Sequence, residues 1–383
     1  MERITLTVTK ADVGGFVGHA AVHEDVAEKA RDTLSKASSK GLLIDFWTAS
    51  VGDDLILAMT HEKGLEAKEI HKLGWDTFTA CSEVAEKLKL HNPGRDLMAN
   101  AFAGTLRGLG PGLAEVMFRE RPSEPFILLM ADKCRLGTWN LPLYKAFADP
   151  FNTAGLVIDP SMHEGFAFEV LDIQENRCIT LQCPGDIYDL AMFLGSSGRF
   201  VVNKVIRRVD GVVAAVASGP RPQGTGHSAG TDDPVLIVRC QNGLPAIGEI
   251  LEAFSFPHLV SGWLRGVYQG PLMPVSLNQT RSSRFDGPPR VAAAGFQLAN
   301  GEFVGPADLF DDPVFDSARA KAIEITEYLR RHGPFEPHRV SHDQMANTPF
   351  LPLLAHLDNR MVRIDGDDRK GKRKRTSAAE DAE

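Results

Sequence analysis

The sequence predicts a layered α+β fold. Apolar β-type runs outnumber the helical segments, and the two kinds alternate irregularly along the 383 residues, whereas a doubly wound sheet requires regular strand–helix alternation. Hydrophobic residues make up 43% and charged residues 24% of the chain, as in ordinary globular proteins. The length exceeds the usual size of one domain and by itself suggests two domains or one large unit.

The first half of the chain begins with a strand over 3–11, in which apolar and polar residues alternate. A helix over 24–39 and strand-forming residues over 42–60 follow. Residues 65–90 carry apolar side chains at helical spacing, and the continuous apolar run that ends at Asp132 is typical of a buried strand.

The second half contains further strand and helix patterns. Strands are predicted over 155–159, 166–173, 178–183, 200–207, 211–217 and 235–240, and helices over 187–196, 246–254 and 315–332. The run Asp311-Asp312-Pro313 comes just before the last helix and is interpreted as its cap.

The charge and the cysteine content limit the function classes. A net charge of −8 argues against nucleic acid as the main partner, because nucleic-acid binding needs clustered positive charge. The five cysteines lack zinc-type spacing and are read as reduced thiols of a cytoplasmic protein. No signal-peptide pattern occurs, and no apolar run approaches the roughly 20 residues that span a bilayer, so no membrane partner is expected.

Two segments are predicted to be mobile. Residues 219–231 are rich in Gly, Pro and Ser and lead into Asp232 and Asp233, so they are read either as a flexible loop or as an active-site lid. Residues 365–383 are charged and lack large apolar side chains, which predicts a disordered tail after a catalytic domain over 1–364.

Acidic residues from distant segments end or flank the apolar runs. They are Asp12 with His19, the pair Asp53-Asp54, Asp132 with Lys133, and the pair Asp232-Asp233. A folded sheet can gather them at one edge, where carboxylates repel one another unless cations lie between them, and oxygen-rich sites suit Mg²⁺. Adjacent strand residues point to opposite faces, so Asp53 and Asp54 reach one site only at a strand end or bulge, which Gly52 permits.

Long phrases of the sequence resemble one enzyme family. They include VGDDL, RGLGPG, NLPLYKAFADPFNT, FDGPPR and RRHGPF, and they lie in order between about residue 3 and about residue 352. On these phrases the chain is identified as a member of the fructose 1,6-bisphosphate aldolase/phosphatase family of archaea and deep-branching bacteria. The resemblance implies a single-domain, four-layer α-β-β-α sandwich that assembles as a homo-octamer.

The resemblance also implies the site residues. The implied ligands of several Mg²⁺ ions, for which Mn²⁺ can substitute, are Asp12, His19, Asp53, Asp54, Asp132, Asp232 and Asp233. Of these, Asp53, Asp54, Asp132 and Asp233 are taken as catalytic, and His19 is read either as a ligand or as a substrate contact. The implied sugar-phosphate contacts are Lys133, Gln241, Arg265 and Asp286. Gly104 and the RGLGPG segment can offer backbone N–H groups to a phosphate.

Three positions depart from the family pattern at the aldol step. The family uses a lysine that forms a Schiff base together with tyrosines, but this chain has Thr231 at the lysine position and Ser228 and Asn347 at the tyrosine positions. Threonine cannot form an imine with a ketone. The Schiff-base aldolase activity is therefore predicted to be lost.

A fourth departure falls on the metal cluster. Arg95 aligns with a glutamine that contributes to the cluster in the family, and arginine cannot coordinate Mg²⁺. Either Arg95 replaces the charge of one metal ion, or it binds a different substrate anion, or its side chain points to solvent.

These features predict a Mg²⁺-dependent sugar-phosphate phosphatase, with fructose 1,6-bisphosphate as the default substrate and a role in gluconeogenesis. One alternative is a repurposed metal-dependent aldolase, lyase or cyclase of specialised metabolism, which the residues Arg95, Thr231 and Ser228 motivate. A second alternative is a non-catalytic sugar-phosphate sensor. The retained aspartates argue against the sensor, because a sensor does not need so costly a cluster of like charges.

Overall fold

A computed structural model describes residues 3–99, 110–175, 177–219, 233–333, 338–341, 355–358 and 360–361. The predicted tail and all of the predicted mobile loop except Gly219 lie outside the described residues, as do Gly104, Ser228, Thr231, Asp232 and Asn347. The chain divides into a compact unit over Met1–Ala346 and a second unit over Asn347–Glu383, in which residues 355–358 form one helical turn.

A four-stranded antiparallel sheet, here called the small sheet, is built by the first part of the chain. Its strands are β1 (Arg3–Asp12), β2 (Asp45–Val51), β3 (Asp54–His61) and β4 (Gly112–Arg119), in the order β2-β3-β1-β4. Two helices cover it, α1 (Glu24–Ser39) and α2 (Lys68–Lys87). Helix α1 begins where the His23 side chain accepts a hydrogen bond from Asp25 N–H, and acidic residues in its first turn complement the helix dipole.

A nine-stranded sheet, here called the large sheet, is built by the rest of the first unit. The further strands in chain order are β5 (Glu124–Asp132), β6 (Phe166–Asp172), β7 (Arg177–Gln182), β8 (Phe200–Arg207), β9 (Val213–Ala217), β10 (Val235–Arg239), β11 (Leu259–Gly262), β12 (Tyr268–Pro271), β13 (Met273–Pro274), β14 (Arg290–Ala299) and β15 (Glu302–Asp308). The large sheet has the order β13-β14-β5-β10-β9-β8-β6-β7, and β15 pairs with β14. Strands β11 and β12 pair separately.

The remaining helices accompany the large sheet in sequence. They are α3 (Asn140–Ala148), α4 (Gly155–Ile158), α5 (Ile187–Leu194), α6 (Ile247–Glu252), the irregular turn α7 (Trp263–Gly266) and α8 (Asp316–His332). Asp312 caps the 3₁₀ turn Pro313–Phe315 that leads into α8, because its side chain accepts a hydrogen bond from Val314 N–H and Pro313 occupies the first turn. The structural interpretation of this run is confirmed, although the cap is that of the 3₁₀ turn and not of α8 itself.

The layers follow from the alternation of buried side chains along the strands. On β5, Phe126, Leu128 and Met130 pack between the two sheets, whereas Ile127 and Leu129 pack in the cluster that contains residues of α3, α5 and α6. A third cluster lies between the small sheet and helices α1 and α2. The chain thus has the predicted α+β fold, with helices, two facing sheets and helices as four layers.

One predicted strand is wrong, and several elements were not predicted. Residues 155–159 form the single turn α4 rather than a strand, with Asp159 N–H donating to Gly155 O. Val157 and Ile158 are 62% and 75% exposed, so their apolar run gains no burial within a sheet. The segment 42–60 contains two strands, and α3, β4 and the β14–β15 hairpin were missed. No helix in the described part of the chain has both the length and the apolar character to cross a membrane.

Candidate metal centre

The predicted acidic groups lie at one end of the core between the two sheets. Side chains two residues apart on a strand share a face. On β1, the face that carries Val8 continues with Lys10 and Asp12, and on β5 the corresponding face ends in Asp132. The register between β1 and β3 pairs Asp12 with Asp54. Polar side chains therefore replace apolar ones where the strands of both sheets end.

Asp12, His19 and Asp53 form a first trio, in which one ligand atom of each residue lies within 4.8 Å of the others. His19 Nδ1 lies 2.6 Å from Asp53 Oδ2, and Asp12 Oδ1 accepts a hydrogen bond from Gly14 N–H. Burial and the charge of Asp53 raise the pKa of Asp12 to about 7. The hydrogen bond to Asp53 raises the pKa of His19 above its ordinary value. The first trio is thus a set of close, partly buried ligand atoms.

Asp54, Asp132 and Asp233 form a second trio at the same spacing. Asp233 is fixed by a reciprocal pair of hydrogen bonds, because its Oδ1 accepts from Cys134 N–H and its own N–H donates to Cys134 O, both at 2.7 Å. Burial raises the pKa of Asp132 to about 7 and the pKa of Asp54 well above its ordinary value. The ionised forms of these carboxylates therefore require nearby cations.

The carboxylate of Asp132 tests whether the centre fits a divalent ion. Both of its oxygens are buried. Lys133 Nζ lies 3.0 Å from Oδ1 as an ion pair, whereas Oδ2 has no hydrogen-bond partner among the described residues. Buried acceptors without a donor are uncommon in folded proteins. Apart from the His19 imidazole, the ligand atoms of both trios are carboxylate oxygens, which Mg²⁺ and Mn²⁺ prefer. The residues present fit such an ion.

The turn between β2 and β3 brings Asp53 and Asp54 to one site, as the bend at Gly52 predicts. Gly52 has a φ of +59°, which glycine adopts without steric cost, and its N–H donates to Thr280 O at 3.0 Å. A Cβ atom on Gly52 would lie 2.4–2.6 Å from the carboxyl group of Asp132. Glycine at this position therefore allows the turn to approach β5.

Lys133 lies between the two trios. Its Nζ is 3.1 Å from Asp53 Oδ1, 3.0 Å from Asp132 Oδ1 and 3.9 Å from Asp286 Oδ1. Burial alone would lower the pKa of Lys133, but the charges of Asp132 and Asp53 hold it well above its ordinary value. Against the effect of burial, the His19 hydrogen bond and the Lys133 charge lower the pKa of Asp53, so Asp53 stays ionised.

Three of the predicted sugar-phosphate contacts lie together. Asp286 is close to Lys133 as described, and Arg265 N–H donates to Asp286 Oδ2 at 3.5 Å. Lys133, Asp233, Arg265 and Asp286 all have positive φ values, between 55° and 61°. Positive φ is uncommon for residues other than glycine, and such conformations cluster at functional sites.

Gln241, by contrast, lies at the opposite end of the large sheet. Strand β10 runs antiparallel to β5, so Asp233 before β10 lies near Asp132, whereas Gln241 after β10 lies near the start of β5. There its carbonyl oxygen accepts a hydrogen bond from Arg121 Nη1 at 2.7 Å. The eight residue-to-residue steps from 233 to 241 span roughly 26 Å in an extended chain, so Gln241 does not reach the two trios of its own chain.

Arg95 begins a short 3₁₀ helix (Arg95–Ala99) beside the first trio. The next residue, Asp96, accepts a hydrogen bond from Asp12 N–H at 2.9 Å. Burial raises the pKa of Asp96, against the opposing charges of Lys10 and Arg95. Arg95 is half-buried, and its charge acts on a carboxylate that contacts the centre. Its role stays a prediction.

Lys10 and Arg290 are site residues that sequence reasoning missed. Lys10 Nζ is 3.1 Å from Asp54 Oδ2 and 4.0 Å from Asp233 Oδ2. Burial would lower the pKa of Lys10, but the charges of Asp54 and Asp233 hold it above its ordinary value. Arg290 is the register partner of Asp132 on β14, and its Nη1 donates to a backbone carbonyl at 2.6 Å. The two-residue spacing of Lys10 and Asp12 could have indicated Lys10, whereas Arg290 required the strand pairing.

Comparisons with known proteins agree with this arrangement. Residues 3–362 match the family described as Fructose-1,6-bisphosphatase. Proteins named fructose-1,6-bisphosphate aldolase/phosphatase are similar over nearly their whole lengths. The one from Moorella thermoacetica is 53% identical over 371 residues, covering 96% of this chain and 97% of that protein. The one from Methanothermobacter marburgensis is 50% identical over 364 residues, covering 95% and 100%.

These matches place the chain in the class of fructose-bisphosphatase-like enzymes. The relative from Ignicoccus hospitalis is 51% identical over 360 residues, covering 94% of this chain and 93% of that protein, and carries the same name. The chain belongs to the fructose-1,6-bisphosphate aldolase/phosphatase family.

Proposed function

We propose that the chain is a Mg²⁺-dependent phosphatase that hydrolyses fructose 1,6-bisphosphate and has lost Schiff-base aldolase activity. The observation that carries the proposal is the pair of carboxylate trios at the end of the inter-sheet core, in which the buried Oδ2 of Asp132 has no hydrogen-bond partner among the described residues and Oδ1 has only the Lys133 ammonium beside it. The names of the relatives support the substrate.

The metal ligands are proposed to be Asp12, His19, Asp53, Asp54, Asp132, Asp232 and Asp233, with Mn²⁺ able to replace Mg²⁺. Divalent ions bound there would supply Lewis-acid chemistry, which polarises the phosphate, activates water and stabilises the leaving alkoxide. The chain itself holds Asp53 in the ionised form through His19 and Lys133. The Cys134 backbone fixes Asp233 in position, and glycine at position 52 lets the β2–β3 turn lie against Asp132.

Substrate orientation is assigned to Lys133, Arg265 and Asp286. A lysine ammonium and an arginine guanidinium both donate hydrogen bonds to phosphate oxygens, and a carboxylate accepts hydrogen bonds from sugar hydroxyl groups. The close approach of Asp286 to Lys133 and to Arg265 N–H supports this assignment. Gly104 and Arg95 remain proposed substrate contacts.

The loss of the aldolase is proposed because Thr231 has no amine. Two lysines lie at the centre in the described part of the chain, but each ammonium group contacts several carboxylates. Lys10 contacts Asp54 and Asp233, and Lys133 contacts Asp53, Asp132 and Asp286. An ammonium group so paired is not a free nucleophile. Borohydride treatment with fructose 1,6-bisphosphate is expected to leave the protein mass unchanged.

A homo-oligomer, specifically the octamer, is part of the proposal. The position of Gln241 supports it, because a sugar-phosphate contact by this residue requires a neighbouring copy of the chain. Exposed apolar side chains on and next to α4 and α5, with Phe151 99%, Ile158 75% and Tyr188 73% exposed, also favour burial against another surface. The five cysteines are free, which supports a cytoplasmic location.

The test is incubation of the purified protein with fructose 1,6-bisphosphate in Mg²⁺ and, separately, in EDTA. Phosphate and triose phosphates are followed by mass spectrometry. The expected result is phosphate release in the presence of Mg²⁺ but not of EDTA, with no triose phosphates formed. Release of trioses, or a new carbon skeleton without phosphate release, would replace the hydrolase with a carbon–carbon enzyme. Thermal stabilisation by the sugar phosphate without any turnover would indicate a sensor.

A further inference from the structure

The ammonium group of Lys10 lies against the second trio in the buried core. Lys10 is 3% exposed, and its Nζ contacts Asp54 Oδ2 at 3.1 Å and Asp233 Oδ2 at 4.0 Å. These are two of the three carboxylates of the trio. A charge buried in this way is tolerated only when opposite charges surround it.

The fold holds Lys10 at this point. Strand β1 is paired on both sides, and the register places Lys10 beside Ile56 on β3 and Gly112 on β4. The side chain follows Val8 on the face that packs between the two sheets. Lys10 therefore enters the centre from the apolar core.

Lys133 is placed differently, although its charge balances the same centre. Its Nζ contacts one carboxylate of each trio and lies 3.9 Å from Asp286, a proposed substrate contact. Its side chain is 10% exposed, against 4% for Lys10. Lys133 can thus meet a substrate, whereas Lys10 contacts metal-ligand carboxylates from the inner side.

We propose that Lys10 is a positioning residue that acts as a fixed internal cation of the second trio. Its charge holds Asp54 and Asp233 close together and sets how many divalent ions the trio takes up and how tightly. The physical reason is that two cations sharing the same carboxylates repel each other, so a fixed ammonium group weakens the binding of a neighbouring ion. This inference rests on the proposed function, in that the trios bind divalent ions.

The test compares Mn²⁺ binding by the wild type, Lys10→Met, Lys10→Arg and Lys72→Met. Lys72 forms an exposed pair with Asp76 on α2 and serves as the control for loss of a lysine. The number of ions and the dissociation constants are measured by titration calorimetry and by electron paramagnetic resonance. The thermal midpoint of each protein is recorded with and without Mn²⁺.

The Lys10→Met variant is expected to melt at a lower temperature than the wild type without metal. It should bind one more Mn²⁺ ion, or bind one ion at least about tenfold more tightly. The variants Lys10→Arg and Lys72→Met should bind Mn²⁺ as the wild type does. If metal-free Lys10→Met does not fold, the ion count and the rate at which EDTA removes each ion are measured after refolding with Mn²⁺. An extra ion or slower removal supports the inference, whereas an unchanged count with unchanged removal overturns it.

Unchanged binding in Lys10→Met would overturn the inference, as would identical behaviour of Lys10→Arg and Lys10→Met. Failure of the wild type to bind any Mn²⁺ would instead reject the metal centre of the proposed function. The two failures are therefore distinguishable.

Discussion

Burial of the individual carboxylates at the centre costs desolvation free energy, which the neighbouring cations only partly offset. Asp132 is fully buried, and burial raises its pKa to about 7. The Lys133 ammonium contacts Oδ1, yet Oδ2 has no hydrogen-bond partner among the described residues. Such buried charged groups lower the stability of the folded protein, and they are kept where function needs them. Binding of a divalent ion would restore the lost folding free energy.

Replacement of Asp132 by asparagine tests this view of the residue. Metal-dependent phosphate release should fall by more than about 100-fold, because even partners that only support a metal ligand contribute 10–100-fold to affinity or activity. The measurement is the initial rate over a range of Mg²⁺ concentrations. Asp316→Asn, an exposed carboxylate at the start of α8, is the control and should retain the wild-type rate. Equal rates for both variants would remove Asp132 from the metal centre.

Much of the candidate site could be predicted from the sequence, because its acidic residues stand at the ends of apolar, strand-forming runs. Asp12, Asp53, Asp54, Asp132 and Asp233 lie together as expected. Spatial relations across strands could not be predicted in this way. The position of Gln241 at the far end of the large sheet depends on the antiparallel pairing of β10 with β5, and sequence spacing carries no such information.

Among the elements, the β2–β3 turn determines the geometry of both trios. It carries Asp53 for one trio and Asp54 for the other, and Gly52 N–H anchors it to Thr280 O. Its backbone lies so close to Asp132 that glycine is the residue that fits.

Gly52→Ala is therefore expected to disrupt the centre. The added methyl group would meet the Asp132 carboxyl group, and the positive φ costs roughly 1–2 kcal/mol for a residue with a Cβ. Gly41→Ala is a matched control, since Gly41 has a φ of +73° but no atom within 4 Å of an added Cβ. Gly52→Ala should lose at least as much stability as Gly41→Ala in chemical denaturation, because it adds a clash to the cost of the positive φ, and only Gly52→Ala should lose Mn²⁺ affinity. Equal Mn²⁺ affinities would show that the close approach to Asp132 has no role.

A buried network of side-chain hydrogen bonds joins β1, β3 and β4. His61 Nδ1 accepts a hydrogen bond from Lys63 N–H, so Nε2 carries the proton and donates to Thr7 Oγ1 at 2.9 Å. Thr7 in turn donates to Glu115 Oε1 at 3.0 Å, and His71 contacts the same oxygen at 2.9 Å. Burial lowers the pKa of His61 to about 4, and the charge of Glu115 opposes this only in part.

The lowered pKa of His61 predicts a loss of stability in acid. His61 takes up a proton near pH 6.5 in the unfolded state and only near pH 4 in the folded state. The stabilisation of the fold by neutral His61 is therefore complete above about pH 6.5 and is lost as the pH falls towards 4. The free energy of unfolding should fall by about 3 kcal/mol more in the wild type than in His61→Gln between these limits. Denaturant titrations at pH 7 and pH 4.5 measure the difference. Parallel losses in the two proteins would show that His61 does not cause the effect.

For the whole molecule, the fold class was predictable and the layer order was not predictable from pattern alone. Alternation and apolar runs indicate strands, but whether a strand faces helices or a second sheet depends on which residues pack across it, as β5 shows with its two apolar faces. The missed β14–β15 hairpin and the misread segment 155–159 have the same origin. Short apolar runs do not reveal whether they are buried.

The exposed apolar surface predicts self-association. Ile158 is 75% exposed on α4, and Ile158→Glu should shift the protein to smaller assemblies in light scattering after size-exclusion chromatography, because burial of a charge in an interface is costly. Leu65→Glu, at a residue 49% exposed before α2, is the control and should keep the wild-type mass. A monomeric wild type, or an unchanged mass for Ile158→Glu, would contradict the proposed oligomer surface.

The proposed function depends on a divalent-metal centre at the end of the inter-sheet core. The most direct measurement is anomalous X-ray diffraction from crystals of the protein soaked in Mn²⁺. Anomalous density is expected among Asp12, His19 and Asp53, and again among Asp54, Asp132 and Asp233. Crystals that show no anomalous density in either trio at saturating Mn²⁺ would rule out a metal centre at these residues.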